Sequence, residues 1–309
     1  MKPVMRQYAG EKDYARIRQF LQDVLLANGL REYSWHPARL DYWRWHGVQN
    51  CGDPGPENIL IWEKDGRIAA FLNPEGPGDA HIQMHPDFCC SELYGEMLAV
   101  AEMELGAPNR EGRKRVVAWA DSKDEMAHEI LVQRGFQKVD APESSCRQGR
   151  QDLDRVFSEP KNPDGYIIRE LAGVEELPSR SWCSWKAFHP DEPDDKYGGW
   201  LWYRNIQAAP LYKRDLDIVA VAADGEIVSF TTVWYDEVTS TAYFEPVGTH
   251  PDHQRRGLGL ACITEGLHRL KVLGCRCAFL GGHSEAAKAL YTKAGFIECD
   301  IAEPWVKFL

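Results

Sequence analysis

The stretch YFEPVGTHPDHQRRGLG, Tyr243 to Gly259, decides the fold. A mostly apolar strand runs into a basic, glycine-punctuated turn, Gln254-Arg255-Arg256-Gly257-Leu258-Gly259, which opens an amphipathic helix. The first four N–H groups of a helix lack internal partners and, with the helix dipole, form an anion site. Glycines let a phosphate approach the main chain, and the arginines add charge. A Gly-x-Gly after a strand is a weak signal by itself, because many strand-to-helix turns need glycine for steric reasons. The Rossmann fingerprint needs a third glycine further on, and the lysine of a P-loop is missing. About thirty residues downstream, EAAKALYTKAGF (Glu285 to Phe296) places Tyr291 just before a Lys-Ala-Gly-Phe turn.

Order and spacing raise the specificity. Strand, Gln-Arg-Arg-Gly-Leu-Gly, helix, strand, helix and Leu-Tyr-x-x-x-Gly-Phe together resemble the acetyl-CoA-binding core of the GNAT superfamily of N-acetyltransferases. The resemblance implies an acyltransferase that uses acetyl-CoA as co-substrate. It places Gln254, Arg255, Arg256, Gly257, Leu258 and Gly259 at the pyrophosphate and Val247, Gly248 and Thr249 along the pantetheine arm. Ser284 stands where the family commonly carries an asparagine that bonds the cofactor. Tyr291 matches the general acid that protonates the departing thiolate, although an ordinary core tyrosine on an amphipathic helix is the alternative.

An alkylamine with pKa near 10 is unprotonated in only about one molecule per thousand at neutral pH, so a general base is useful. Glu245 is the first candidate and Asp236 and Glu237 are reserves. The family's glutamate position counts to Tyr243, which shares a strand face with Glu245 about 6–7 Å away, so Glu245 is either a base or structural. Pro246 cannot donate to a ladder, which points either to a splayed, bulged strand whose Val247 N–H serves as an oxyanion donor or to an ordinary edge strand.

The chain also repeats itself. Met5-Arg6-Gln7-Tyr8-Ala9-Gly10 matches Ile168-Arg169-Glu170-Leu171-Ala172-Gly173, and His85-Pro86-Asp87 matches His250-Pro251-Asp252. Asp65-Gly66 and Asp224-Gly225 each sit between apolar runs, a strong hairpin signal, and Arg134-Gly135-Phe136 matches Ala294-Gly295-Phe296. The offset stays near 160 positions, the length of a whole domain. Each copy reads as strand, helical segments, hairpin, strand, helix, strand, helix, strand. The expected fold is α/β: two tandem GNAT-like domains, each a mixed, mostly antiparallel twisted sheet flanked by helices. Boundaries fall at 1–157 for a degenerate first domain, 158–164 for a polar, proline-bearing linker and 165–309 for the catalytic domain. Aligned on His-Pro-Asp, Gln254, Gly257 and Gly259 correspond to Cys89, Glu92 and Tyr94, and Tyr291 corresponds to Leu131. The first copy therefore keeps the fold signature and loses the anion cradle. Tandem enzymes of this superfamily, the mycothiol synthases among them, are similar in layout, with the catalytic half at the C-terminus.

Composition bounds the rest. The hydrophobic fraction of 44% and charged fraction of 27% are those of an ordinary globular protein. No apolar run approaches the roughly 20 residues that span a bilayer, and the N-terminus lacks a secretory h-region. Nine cysteines without a C-x-x-C pair argue against a disulfide framework and a zinc site, so the expected setting is cytoplasmic. His250 and His253 have an H-x-x-H spacing with no nearby ligand set, so no metal is expected. A net charge of −11 disfavours nucleic acid and suits a cationic acceptor. The aromatic segment Trp182, Trp185, Phe188, His189, Trp200, Trp202, Tyr203 reads either as a helix pair covering the sheet or, with the acidic run 191–195, as a cage for a cationic amine. The expected activity is direct transfer of acetyl to a primary amine of a small molecule, by a monomer or homodimer. A non-catalytic acyl-CoA sensor and a protein lysine acetyltransferase are the alternatives.

Overall fold

The computed structural model describes residues 2–30, 34–141, 144–155, 159–282 and 284–309. The chain divides into two compact units, Met1–Arg147 with Asp300–Leu309, and Gln148–Cys299. Residues 148–155, assigned by sequence to the first half, thus group with the second unit, and 300–309 group with the first. Val156 and Phe157, the end of the expected first domain, and Ser158, the first residue of the expected linker, lie outside the described residues.

The first unit contains β1 (Val4–Gln7), α1 (Glu11–Ala27), α2 (Pro37–Tyr42), β2 (Leu60–Lys64), β3 (Arg67–Asn73), β4 (Asp79–Met84), α3 (Ser91–Glu104), β5 (Ala107–Pro108), β6 (Lys114–Asp121), α4 (Glu125–Gln133) and β7 (Gln137–Lys138). Next come β8 (Cys146–Asp152), β9 (Tyr166–Glu170), α5 (Leu177–Phe188), α6 (Tyr203–Ile206), β10 (Asp217–Ala222), β11 (Ile227–Asp236), β12 (Thr241–Thr249), α7 (Leu258–Val272), β13 (Cys277–Gly282), α8 (Glu285–Lys293) and β14 (Ile297–Phe308). In the first unit the strand order is β1-β2-β3-β4-β6, followed by the later part of β14, whose Ala302–Phe308 pair antiparallel with β6. In the second unit it is β9-β10-β11-β12-β13-β8, with the start of β14 beyond β8. The pairs β1–β2, β2–β3, β3–β4, β6–β14, β9–β10, β10–β11 and β11–β12 are antiparallel, whereas β4–β6 and β12–β13, joined by helical crossovers, are parallel.

The repeat is visible as chemistry. Arg6 bonds both carboxylate oxygens of Asp13 at 2.6 and 2.7 Å, and Asp13 also accepts from Ala9 N–H. Arg169, 163 positions on, does the same to Glu176, which accepts from Ala172 N–H at 2.8 Å. His85 and His250 each accept the N–H two residues later on Nδ1. Asp124 caps α4 through Ala127 N–H, and Ser284 caps α8 through Ala287 N–H, each satisfying an orphan donor.

β11 is buried at all ten positions, as a strand covered on both faces must be. α5 and α7 cover it, and Val233, Phe244, Ile263, Leu267, Leu280 and Phe296 form the main apolar cluster of the second unit. On the α5 face lies a buried ionic network. Arg180 and Asp217 are both fully buried. Arg180 Nε donates to Asp217 at 3.3 Å and Nη2 to Thr232 at 3.2 Å, while Tyr203 and Tyr212 donate to Asp217 at 2.5 and 3.0 Å. The guanidinium lies 3.7 Å over the Phe230 ring. Burial pushes the Tyr203 and Tyr212 phenols far up, so both stay protonated as donors. Removing one member leaves an uncompensated buried charge. Asp217→Ala should therefore destabilise the second unit by about 3–5 kcal/mol, read as a lower denaturation midpoint at unchanged slope. A loss well under about 1 kcal/mol would show that the network carries no such weight.

Candidate active site

β12 pairs with β13 only from Thr241–Phe244 against Cys277–Leu280. β12 then continues to Thr249 with its other edge on β11, and the register shifts so that Glu245 and Pro246 stand where β11 offers only Thr232. This confirms the splayed, bulged strand expected from Pro246; the Glu245–Pro246 peptide is cis. The indole of Trp234 donates to Glu245 O at 2.5 Å, satisfying a carbonyl that the bulge takes from the ladder. Beyond the bulge, His250 N–H donates to Val228 O at 2.9 Å. Residues bonded to one neighbour alternate along a strand, so Gly248 faces β11, and Val247 and Thr249 turn their N–H and C=O groups toward the open side. Accordingly, Thr249 O accepts from Gln254 Nε2 at 3.4 Å rather than from β11.

The remaining expected residues gather around this opening. Gly257 has φ 82°, a left-handed conformation that suits glycine, and its C=O accepts the first α7 bond, from Ala261 N–H at 3.0 Å. No side chain caps α7, in contrast to α4 and α8. Leu258 is buried against Ile218, Val228 and Cys262, so it anchors the turn and leaves only its main chain toward the opening. A Cβ on Gly259 would stand 3.3 Å from Leu290 and 3.5 Å from Thr249 Oγ1, which places the first turn of α7 against both β12 and α8. The Tyr291 ring lies against Gly282 at the end of β13, its Cε2 3.1 Å from where a Cβ would be. Tyr291 and Val247 both pack on the same apolar cluster. The arrangement thus has β12 on one lip, β13 with Tyr291 on the other and the α7 N-terminus below.

The two arginines of the turn differ. Arg256 is held by Tyr166 Oη at 2.7 Å and Asp252 O at 3.1 Å, and Tyr166 also meets His253 Nδ1 at 3.0 Å. Arg255 is exposed, and its guanidinium makes no hydrogen bond among the described residues. Ser284 Oγ accepts from Ala287 N–H at 3.1 Å, which leaves its hydroxyl hydrogen for another partner. Glu245 is partly exposed at the bulge, on the open strand. The reserve acids lie elsewhere: Asp236 accepts from Thr239, and Glu237 pairs with Lys213, at the far end of the β11–β12 hairpin, about 20 Å along the strand from Val247. His250 has its pKa lowered by burial, and no group of three or more metal-ligating side chains exists among the described residues. Burial pushes the Cys275 and Cys277 thiols up to about 12 and about 11, as inert core cysteines. Trp182, Trp185 and Tyr197 do form one aromatic cluster, with ring centroids 5.1–5.5 Å apart. Its cation is internal, because Lys186 Nζ lies 5.6 Å from the Trp185 centroid and bonds Asp194 at 3.1 Å.

The corresponding features of the first unit are filled by its own side chains. Glu92 sits in the first turn of α3, its carboxyl held below the usual range by its own N–H, then by Cys90 and Ser91. Tyr94, buried, stands where the second copy has Gly259, and Leu131 where it has Tyr291. β4 and β6 also diverge after Ala80 and Ala118, but His81 and Trp119 stack beyond that point with centroids 5.7 Å apart.

Sequence reasoning missed the Arg180 network. One signal was present: Leu177, Arg180, Ser181 and Ser184 share a helical face, and an arginine amid buried positions needs a buried acid.

Residues 174–296 match the acetyltransferase (GNAT) family, a range that holds the splayed strands, the glycine turn and Tyr291. That match, with the relatives and folds that follow, supports an acetyl-CoA-dependent N-acetyltransferase of the GNAT type. It is similar to mycothiol acetyltransferases: 25% identical over 263 residues to that of Streptomyces coelicolor, covering 79% of this chain and 77% of the relative. To that of Geodermatophilus obscurus it is 25% identical over 312 residues, covering 94% and 93%. In fold it resembles a GCN5-related N-acetyltransferase from Sphaerobacter thermophilus, with a TM-score of 0.67 at 18% identity, covering 99% of this chain and 95% of that one. It equally resembles a tandem GNAT protein from the clavulanic acid biosynthesis pathway, with a TM-score of 0.67 at 15% identity, covering 99% and 98%. No described helix is long and apolar enough to cross a membrane.

Close approach at Gly248 yields a test of the strand's position. A Cβ there would strike the Phe230 ring and stand 3.0 Å from Ala187 Cβ, and Phe230 is itself fully buried beneath Arg180. Gly248→Ala should cost about 1–3 kcal/mol of stability by overpacking, measured by denaturant titration, and an unchanged midpoint would contradict the packing.

Proposed function

We infer that the second unit transfers acetyl from acetyl-CoA directly to a primary amine of a small molecule, and that the first unit does not catalyse. The observation that carries this reading is the divergence of β12 from β13, with Val247 and Thr249 turned into the gap above the uncapped N-terminus of α7. The residues fit the cofactor: an exposed strand edge suits the amide-bearing pantetheine arm, and free helix N–H groups beside Arg255 suit a pyrophosphate. Gln254 and Arg255 to Gly259 would hold the pyrophosphate, and Val247 and Thr249 the arm, with Gly248 between them bonded to β11 and the Ser284 hydroxyl as a further donor. Acetyl-CoA supplies an activated acyl thioester. Val247 N–H donates to the thioester oxygen, where charge develops. Glu245, at the bulge, removes the proton that the amine loses as it attacks. Tyr291, on the β13 lip, gives its phenolic proton to the leaving sulfur. The small-molecule acceptor is favoured by the relatives' name, which is that of an enzyme acting on mycothiol chemistry; this chain's own acceptor is an unassigned amine of that size class.

Gly257→Asp places a carboxylate at the turn and a side chain on a left-handed backbone, so calorimetry should show the acetyl-CoA site lost. Retained affinity would remove the cradle from the argument. Tyr291→Phe should keep that affinity and lower kcat by about 10²-fold, the usual scale of general acid catalysis. Turnover unchanged from wild type would end the acid assignment.

A further inference from the structure

In the second unit Arg150, Arg169, Arg180 and Arg269 are each paired with a carboxylate. Arg256 is held in another way. Its Nη1 donates to Tyr166 Oη at 2.7 Å and its Nη2 to the Asp252 carbonyl at 3.1 Å, and both acceptors are neutral. The Asp252 carboxylate faces His250 instead, at 3.8 Å. Arg256 forms no ion pair among the described residues. A cation ordered by neutral acceptors keeps its full attraction for an anion, and little side-chain ordering remains to be done on binding.

The hydroxyl that holds Arg256 is itself directed. A guanidinium only donates, so Tyr166 Oη accepts from Arg256 and gives its own hydrogen to His253 Nδ1 at 3.0 Å. His253 therefore accepts on Nδ1 and carries its hydrogen on Nε2. The Tyr166 ring stands edge-on to the imidazole, with centroids 5.9 Å apart at 86°, and packs on the apolar cluster that buries Leu258. Tyr166 opens β9, whereas Asp252, His253 and Arg256 flank Gln254. The run of bonds thus ties the glycine turn to β9.

The first copy lacks all three groups. Counting along the repeat, Tyr166 corresponds to Pro3, His253 to Phe88 and Arg256 to Ser91. Proline and phenylalanine side chains make no hydrogen bond, so the guanidinium–phenol–imidazole run cannot form there. The turn itself persists, since His85 accepts from Asp87 N–H as His250 does from Asp252 N–H. The fold does not require the three side chains, and they are missing where the anion cradle is missing.

We propose that Tyr166 is a positioning residue for the cofactor's pyrophosphate: it presents Arg256 with the charge unpaired, and His253 sets the direction of its hydroxyl. The assignment rests on the reading of residues 254–259 as the pyrophosphate turn. Arg256 is then the fixed cation of the turn and Arg255 the adaptable one.

The test is calorimetry on the full chain with acetyl-CoA and with S-acetylpantetheine, which has the arm and the thioester without the phosphates. Tyr166→Phe keeps the ring on its apolar cluster and should weaken acetyl-CoA binding about tenfold, the scale of one hydrogen bond to a charged group. Affinity for S-acetylpantetheine should not change, as a general disturbance of the second unit would not allow. His253→Ala, with Tyr166 and Arg256 in place, should weaken acetyl-CoA binding about threefold. In a double-mutant cycle Tyr166→Phe should add less than about a factor of two to Arg256→Gln, but its full effect to Arg255→Gln. No acetyl-CoA binding by the unaltered chain would overturn the pyrophosphate reading and this assignment together. Binding that Tyr166→Phe leaves intact, a loss shared by S-acetylpantetheine, or an undiminished loss on top of Arg256→Gln would overturn the Tyr166 assignment alone.

Discussion

The second unit depends on one strand that keeps a neighbour on one edge and leaves its neighbour on the other. β12 holds β11 on both sides of the Glu245–Pro246 bulge but leaves β13 after Phe244. Backbone groups that would normally pair are thereby turned toward a gap, and an unpaired amide edge in a half-buried setting is costly until something pairs with it. The bulge at Glu245–Pro246 makes the departure possible, and Trp234 covers the carbonyl that the bulge exposes. Around that gap the fold places, without further invention, a helix start and a tyrosine.

What keeps the strand in place lies behind it. Arg180 joins α5 to the start of β10 through Asp217 and to β11 through Thr232, the residue facing the bulge. Its guanidinium presses on Phe230, and Phe230 in turn leaves no room for a side chain at Gly248. A buried ion pair is poor evidence of net stability, because desolvation offsets most of its attraction. Its value here is geometric: Arg180 ties the helix α5 to β10 and β11, the hairpin against which the open strand lies.

The two copies show how a duplicated fold diverges. The elements that shape the backbone persist, as in the paired Arg6–Asp13 and Arg169–Glu176 clamps and the His-Pro-Asp turns. The positions that would touch a phosphate do not. Glu92 turns its carboxylate on the helix start that Gly257 leaves open, and His81 with Trp119 occupies the divergence that β12 and β13 leave clear. Each change substitutes an internal partner for an external one.

The sequence by itself determined the two-copy α/β architecture and the glycine-punctuated helix start, and it offered the bulge at Pro246 as one of two readings. These rest on local rules, since glycine tolerates positive φ and proline cannot donate, and on a repeat that needs no coordinates. Tyr291 and the turn 254–259 were legible because their spacing is fixed along one strand–helix–strand–helix run. Only the tertiary structure decided that Arg180 meets Asp217, 37 positions away, that Lys186 serves the aromatic cluster as its own cation, and that Asp236 and Glu237 end far from the gap. It also decided that 300–309 belong with the first unit and 148–155 with the second. Such pairings follow from which strand edges and buried charges find each other in space, and that complementarity is long-range, so no local window of sequence contains it.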